Sequence, residues 1–236
     1  RRYQGSTEEL ACNNPISGCF GRARRYYRGL EFTATRRFTN NWQLIASYVY
    51  SGLTGNYEGL FRNDTGQLDP NITSLFDLVS LLDNTYGRLP NDRPHQFKVD
   101  GSYRWPFKMQ SSISFRTQSG RPFDALKPHV VYGDDEGFEV PRGTAINPLT
   151  NSNRTPRTYN MDLGLSYPIS VGEGKEFRLQ LDWFNVTNTQ RAITQDVTKL
   201  ISTGVEDPPD VPNPFYGQGT IFQYPSAFRV GLKFKF

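Results

Sequence analysis

The chain has 236 residues with a formal net charge of +4, and only 36% of them are hydrophobic although 14% are aromatic, with 13 Tyr and 17 Phe. No apolar run approaches the roughly 18 residues of a membrane-spanning helix, which excludes a helical membrane protein and leaves a barrel open, because barrel strands are apolar only at alternate positions. Lys and Arg are scattered along the chain rather than clustered, which argues against nucleic acid as a partner.

Residues 1–25 read as a loop, basic at its end through Arg22, Arg24 and Arg25. Within it Cys12 and Cys19 flank the loop-forming stretch Asn13-Asn-Pro-Ile-Ser-Gly18, so a local disulfide in an oxidising compartment is expected, with two free thiols in a cytosolic loop as the alternative. No signal peptide is visible at the start, so a secreted chain would be mature or truncated.

From there the pattern has a period of two. Leu30, Phe32 and Ala34 alternate with Glu31, Thr33 and Thr35 in a first strand over about 26–38, and the polar turn Thr39-Asn-Asn41 leads into a second over about 42–51. A long connection rich in Gly, Asn, Asp and Pro follows. In it the spacing of Leu75, Leu78, Val79 and Leu82 behind Ser74 predicts a helix over 74–83. Strands over about 94–105 and 109–118 form a second hairpin around Pro106-Phe-Lys108. A second long connection precedes strands over about 156–167 and 176–184, which are joined by a turn from Pro168 to Lys175. After a third long connection comes the last strand, about 225–236, in which Phe228, Val230, Leu232, Phe234 and Phe236 share one face and Arg229, Lys233 and Lys235 the other.

Short turns therefore alternate with connections of roughly 35–45 residues, which are rare inside compact soluble domains and all fall on one side. Transmembrane barrels show this asymmetry, and strands of about 10–13 residues are long enough to cross the hydrocarbon at a tilt. Trp42, Tyr50, Tyr103, Trp105, Tyr159, Tyr167 and Trp183 sit near strand ends on the apolar face, where an aromatic girdle belongs. The other face carries Lys98, Asp100, Arg104, Arg116, Asp162, Arg178, Asp182, Arg229 and Lys233, together with Glu31 and Arg37. A lipid face would penalise each Arg or Lys at mid-depth by about 2–4 kcal/mol, whereas a watered lumen accepts them. The expected fold is an all-β, antiparallel up-and-down transmembrane barrel segment of about seven strands, with a soluble sandwich as the alternative.

Nothing points to an enzyme. Gly172-Glu-Gly-Lys175 lacks the spacing of a phosphate loop and sits between strands, Gly217-Gln-Gly219 has no third glycine, and Gly133-Asp-Asp-Glu-Gly137 lacks the spaced ligands of a calcium loop. His95 and His129 have no metal-ligand spacing and no nucleophile elbow is present, so no cofactor, metal or catalytic residue is expected.

The segments Tyr27-Arg-Gly-Leu-Glu-Phe-Thr-Ala-Thr-Arg-Arg-Phe38, Asn91-Asp-Arg-Pro-His-Gln-Phe97, Ser119-Gly-Arg-Pro-Phe123 and Leu179-Gln-Leu-Asp-Trp-Phe-Asn-Val-Thr-Asn188, with the terminal strand, carry a family resemblance. In that order they resemble the carboxy-terminal part of a TonB-dependent outer-membrane transporter of the Oar-like branch. The resemblance implies a share of a 22-stranded barrel whose lumen is plugged by an amino-terminal domain. It also implies partnership with the TonB complex, with the remaining barrel strands and plug, and with outer-membrane lipid and lipopolysaccharide. The strand from Phe228 to Phe236 is the expected signal for the barrel-assembly machinery. Energy-coupled uptake of a bulky nutrient across a bacterial outer membrane is the first functional expectation, with the carboxy-terminus at the periplasmic rim. A surface protein for adhesion or complex assembly without transport is the alternative, and an autonomous eight-stranded barrel with a strand hidden in residues 1–25 is a third.

Overall fold

A computed structural model describes residues 21–67, 69, 74–129, 133–172, 174–202 and 210–235; Cys12, Cys19 and Phe236 lie outside the described residues. In chain order the strands begin with β1 (Arg25–Thr39), β2 (Trp42–Gly55), the two-residue β3 (Gly87–Arg88), β4 (His95–Arg104) and β5 (Gln110–Gln118). They continue with β6 (Leu126–His129), β7 (Gly133–Phe138), β8 (Thr158–Gly172), β9 (Lys175–Phe184) and β10 (Ala192–Gln195). The last are β11 (Leu200–Ile201), β12 (Val211–Pro212), β13 (Gly219–Phe222) and β14 (Ala227–Lys235).

The seven long strands form one antiparallel sheet in the order β1-β2-β4-β5-β8-β9-β14, and β3 adds to the end of β2. Every strand pairs with its predecessor among the long ones, which is up-and-down topology. Among the described residues β1 and β14 are the two edges and do not pair with each other.

The turns explain the hairpins. Asn40 and Asn41 have φ of 50° and 68°, the left-handed pair that a two-residue hairpin turn needs and asparagine tolerates. The turn between β4 and β5 places Lys108 at φ 68° and closes with the Trp105 N–H donating to the Met109 carbonyl at 2.8 Å. Between β8 and β9 the expected eight-residue turn is far tighter. Pairing runs on through Pro168 opposite Arg178 to Gly172 opposite Lys175, because alternate residues from Tyr167 to Val171 still fit the ladder and Pro168 does not interrupt it.

The helix expected over 74–83 does not form. Leu78 is extended, with φ −130° and ψ 147°, and only the 3-10 turn Val79–Leu82 follows it. Burial on both sides of that break outweighs helical spacing: Leu75 packs with Leu126 and Phe138, Leu81 is buried separately, and the Ser74 hydroxyl binds the Glu136 carboxylate instead of capping.

The core does not lie under the sheet. Phe228, Val230 and Leu232 of β14 are 65, 70 and 76% exposed, and Leu30, Phe32, Leu165, Leu179 and Leu181 are exposed as well. The buried apolar side chains instead sit at the upper end of β2 and in the three long connections, 56–94, 119–157 and 185–226: Leu53, Leu75, Leu81, Leu89, Phe123, Ala125, Leu126, Phe138, Ala145 and Ala192. A soluble sandwich, in which the apolar sheet face would be the core, is incompatible with that distribution.

Candidate functional site

The strand register collects the charged residues singled out from the sequence onto one face. Lys98 stands opposite Arg116, Asp100 opposite Ser114, and Ser114 opposite Asp162. Further along, Asp182 stands opposite Arg229 and Arg178 opposite Lys233. Because facing residues in a ladder point the same way, these side chains and Arg104 share one surface, and Phe228, Val230, Leu232 and Phe234 share the other. A concavity of about 590 Å³ opens on the polar surface, with Gln43, Asp100, Ser102, Ser114, Asp162 and Asp182 among its lining.

The charges on this face are only partly matched. Arg229 donates to Asp182 Oδ2 from Nε at 2.9 Å and Nη2 at 2.7 Å, Arg178 reaches Glu176 at 2.9 Å, and Arg116 lies 3.9 Å from Asp100. Lys98 faces Arg116 directly and Lys233 faces Arg178, and like charges in facing positions repel. Two details escaped the sequence pattern. The ladder shifts register between Arg36 and Thr39, so Phe38 leaves the apolar alternation and lies beneath the Arg104 guanidinium at 5.1 Å. Asp162 accepts the Asn185 N–H at 2.8 Å, so one member of the polar face also anchors the third connection.

Above the sheet the three connections fold into one assembly. The β6–β7 hairpin, the β10–β13 pair and the β11–β12 pair give it a skeleton. One cluster joins Leu75, Leu126 and Phe138 with Phe76 and Val197 against it; a second joins Phe123, Ala125 and Ala145 with Val140, Val197 and Tyr216. Both therefore draw on more than one connection. Backbones come close where glycine permits: a Cβ on Gly120 would lie 1.6 Å from the Thr155 carbonyl oxygen.

Beside these clusters lies a buried ion network. Arg142, fully buried, binds the Glu58 carboxylate and lies 3.0 Å from Asp64 Oδ2, with its guanidinium 4.4 Å above the Phe138 ring. Arg62 lies 3.3 Å from Asp64 and also pairs with Glu136. Asp124 accepts the Gly143 N–H at 2.5 Å. A second clasp lies nearer the sheet, where Asp92 accepts the Leu53 N–H at 2.7 Å and pairs with Arg154.

Burial sets the protonation behaviour of this network. It pushes Glu58 up to about 7, aided by the neighbouring Asp64 and opposed by Arg142 and Arg62. Burial likewise pushes Asp124 up to about 6. For Asp64 burial acts upward too, but Arg62 and Arg142 outweigh it and hold the carboxyl below its ordinary value. Arg93 is lowered to about 10 by burial and by the nearby Arg121 and Arg154. The network ties the first connection to the second, through Glu58, Arg62 and Asp64 on one side and Glu136 and Arg142 on the other. Among the described residues no cluster of His, Cys, Asp and Glu has the geometry of a metal site.

Sequence reasoning missed this assembly. The available signal was the set of apolar residues inside otherwise polar connections, Leu75, Phe123, Leu126 and Phe138, which need cover.

Residues 2–126 match the family described as an outer membrane beta barrel domain. This chain belongs to that family. It is also 40% identical over 206 residues to the TonB-dependent transporter Oar of Myxococcus xanthus, an alignment that takes in 84% of this chain and 18% of the relative. The chain thus spans less than a fifth of the length of that relative. The resemblance to the Oar-like branch is therefore shared by most of the sequence, and the outer membrane is the family's location. In fold, the chain superposes on the crystal structure of the ferric-catecholate import receptor Fiu of E. coli K12 in its closed form. The TM-score is 0.52 at 14% identity, covering 94% of this chain and 23% of the receptor.

Proposed function

We propose that this chain is the carboxy-terminal wall of a TonB-dependent outer-membrane transporter that takes up a bulky nutrient, with the loop assembly outside the cell and the short turns and carboxy-terminus in the periplasm. The observation that carries the reading is the single folded assembly built by all three long connections over one end of the sheet, beside a charged concave face. In a 22-stranded barrel that face lines the lumen. Lys98, Asp100, Arg104, Arg116, Asp162, Arg178, Asp182, Arg229 and Lys233 then meet the plug, and the facing pairs Lys98–Arg116 and Arg178–Lys233 suit an acidic surface on it. The edges of β1 and β14 pair with the remaining strands, since an open edge is not stable in lipid. Phe228 to Phe236 serve the assembly machinery.

The test is ligand binding and import by cells carrying or lacking the intact protein, with and without a proton-motive force. Absence of any protein-dependent binding or import removes the reading. Orientation has its own test: a membrane-impermeant thiol reagent on intact cells is expected to label Tyr224→Cys, 89% exposed on the loop side, and not Lys108→Cys at the opposite end.

A further inference from the structure

On the apolar face of β8, Tyr159 is the last aromatic side chain before the loop assembly, and Arg157 precedes it by one strand repeat. The Arg191 guanidinium, from the third connection, lies 4.9 Å from the centroid of the Tyr159 ring, and its Nη1 donates to the Arg157 carbonyl at 2.9 Å. Gln223 fastens the same place: its side-chain amide donates to the Tyr159 carbonyl at 2.8 Å and its N–H to the Arg191 carbonyl at 3.1 Å.

Both arginines are exposed, and among the described residues neither has a carboxylate within ion-pair distance. That sets them apart from Arg62, Arg142 and Arg154 of the same assembly, each of which rests on acids of this chain. Arg191 is fastened to the backbone of Arg157, so both cations belong to one small patch, and among the described residues neither has a counter-ion from this chain to hold it. By register Arg28, toward the loop end of β1, and Arg36, at the short-turn end, also share the apolar face; Arg36 stacks on Trp42 at 3.9 Å, and among the described residues neither is tied to another arginine as Arg191 is to Arg157.

We propose that Arg157 and Arg191 form a site for a phosphate group of an outer-leaflet glycolipid, with Tyr159 and Gln223 holding Arg191 in position. The site lies just beyond the aromatic band, on the side facing the bilayer. There the chemistry outside the protein is a lipid headgroup, and a planar guanidinium matches phosphate with paired hydrogen bonds. The proposal rests on the reading that this face of the sheet meets lipid.

The experiment titrates the full-length purified protein with bisphosphorylated lipid A and with the same lipid dephosphorylated, followed by native mass spectrometry. The wild type is expected to prefer the phosphorylated lipid by about tenfold or more, and Arg157→Ala/Arg191→Ala to lose that preference. The charge-keeping Arg157→Lys/Arg191→Lys is expected to retain part of it. Equal binding of the two lipids by the wild type, or a preference that survives the double alanine change, overturns the site. Displacement of the lipid by inorganic phosphate at matching concentration overturns the lipid assignment in favour of a free-phosphate site. Quenching of tryptophan fluorescence by brominated lipid, reduced by Trp183→Phe, reports the lipid face separately. Quenching without phosphate preference sinks the site alone, whereas absence of the Trp183 signal sinks the barrel reading beneath it.

Discussion

Leu232 on β14 is 76% exposed, while Leu126 on β6 is wholly buried, although both lie on strands of one chain. In the sheet the apolar side chains look outward and the ions gather on the concave face; in the loop assembly apolar side chains and ions are both inside. The difference follows from what surrounds each region. Lipid covers a barrel wall without any partner from the chain, so the wall needs only alternation. The connections stand in water, where only their own residues can cover Leu75, Phe123 and Phe138, so they must fold.

The contrast can be broken most forcefully at Arg142. Replacing it by Met leaves Glu58 and Asp64 buried beside a single cation, Arg62, and is expected to destabilise the loop assembly by about 3–5 kcal/mol. Hydrogen exchange should rise across the connections while β4, β5 and β8 keep their protection. A rise shared by those strands would show that sheet and assembly are one cooperative unit.

Leu126→Ala should cost the assembly about 2–5 kcal/mol, whereas Leu232→Ala, losing only contact with detergent or lipid, should leave loop protection unchanged. Equal effects would erase the distinction between the two kinds of burial.

A pH series sharpens it further. Glu58 and Asp124 have raised values in the folded assembly, about 7 and about 6, so the folded state binds protons that the opened state releases. Their contribution to stability is complete below their ordinary carboxyl range and is lost as pH rises through those values. Asp64 acts in the opposite sense, its contribution being lost only as pH falls through its depressed value. Exchange in the connections, corrected for intrinsic rate, should therefore increase between about pH 5 and pH 8, and Glu58→Gln should flatten that slope. A slope of reversed sign, or one untouched by Glu58→Gln, contradicts the role given to burial.

The smallest effect is expected on the concave face. Lys233→Glu turns a repulsive facing pair with Arg178 into an attractive one and should stabilise the isolated sheet by about 0.2–1 kcal/mol. If an acidic plug surface lies opposite, the same change should weaken plug retention in the intact protein, measured by protease access to the plug.

The sheet was legible because its signal is local. Alternation from Leu30 to Ala34, the Asn40–Asn41 turn and the run from Phe228 to Phe234 depend on the pleat and on left-handed turn residues, which each segment declares by itself. The loop assembly was illegible because its causes are distant in sequence. Arg142 is ordinary in isolation and becomes a centre only when Glu58 and Asp64 arrive from another connection. The predicted helix failed for the same reason, since Leu75 and Leu81 are each called to cover a different place. The candidate site divides likewise: the charged face followed from parity alone, whereas the meeting of Arg191 with Tyr159 required the third connection to fold back.

Val197 touches both apolar clusters, one built on Leu126 and Phe138 and the other on Phe123 and Ala145. A residue shared in this way removes independence from the segments it joins. The third connection cannot lengthen, shift or accommodate a ligand near Val197 without changing the cover over the first and second. In evolutionary terms, the three connections should vary as a set, and a graft of any one of them from a relative should succeed only when the other two travel with it.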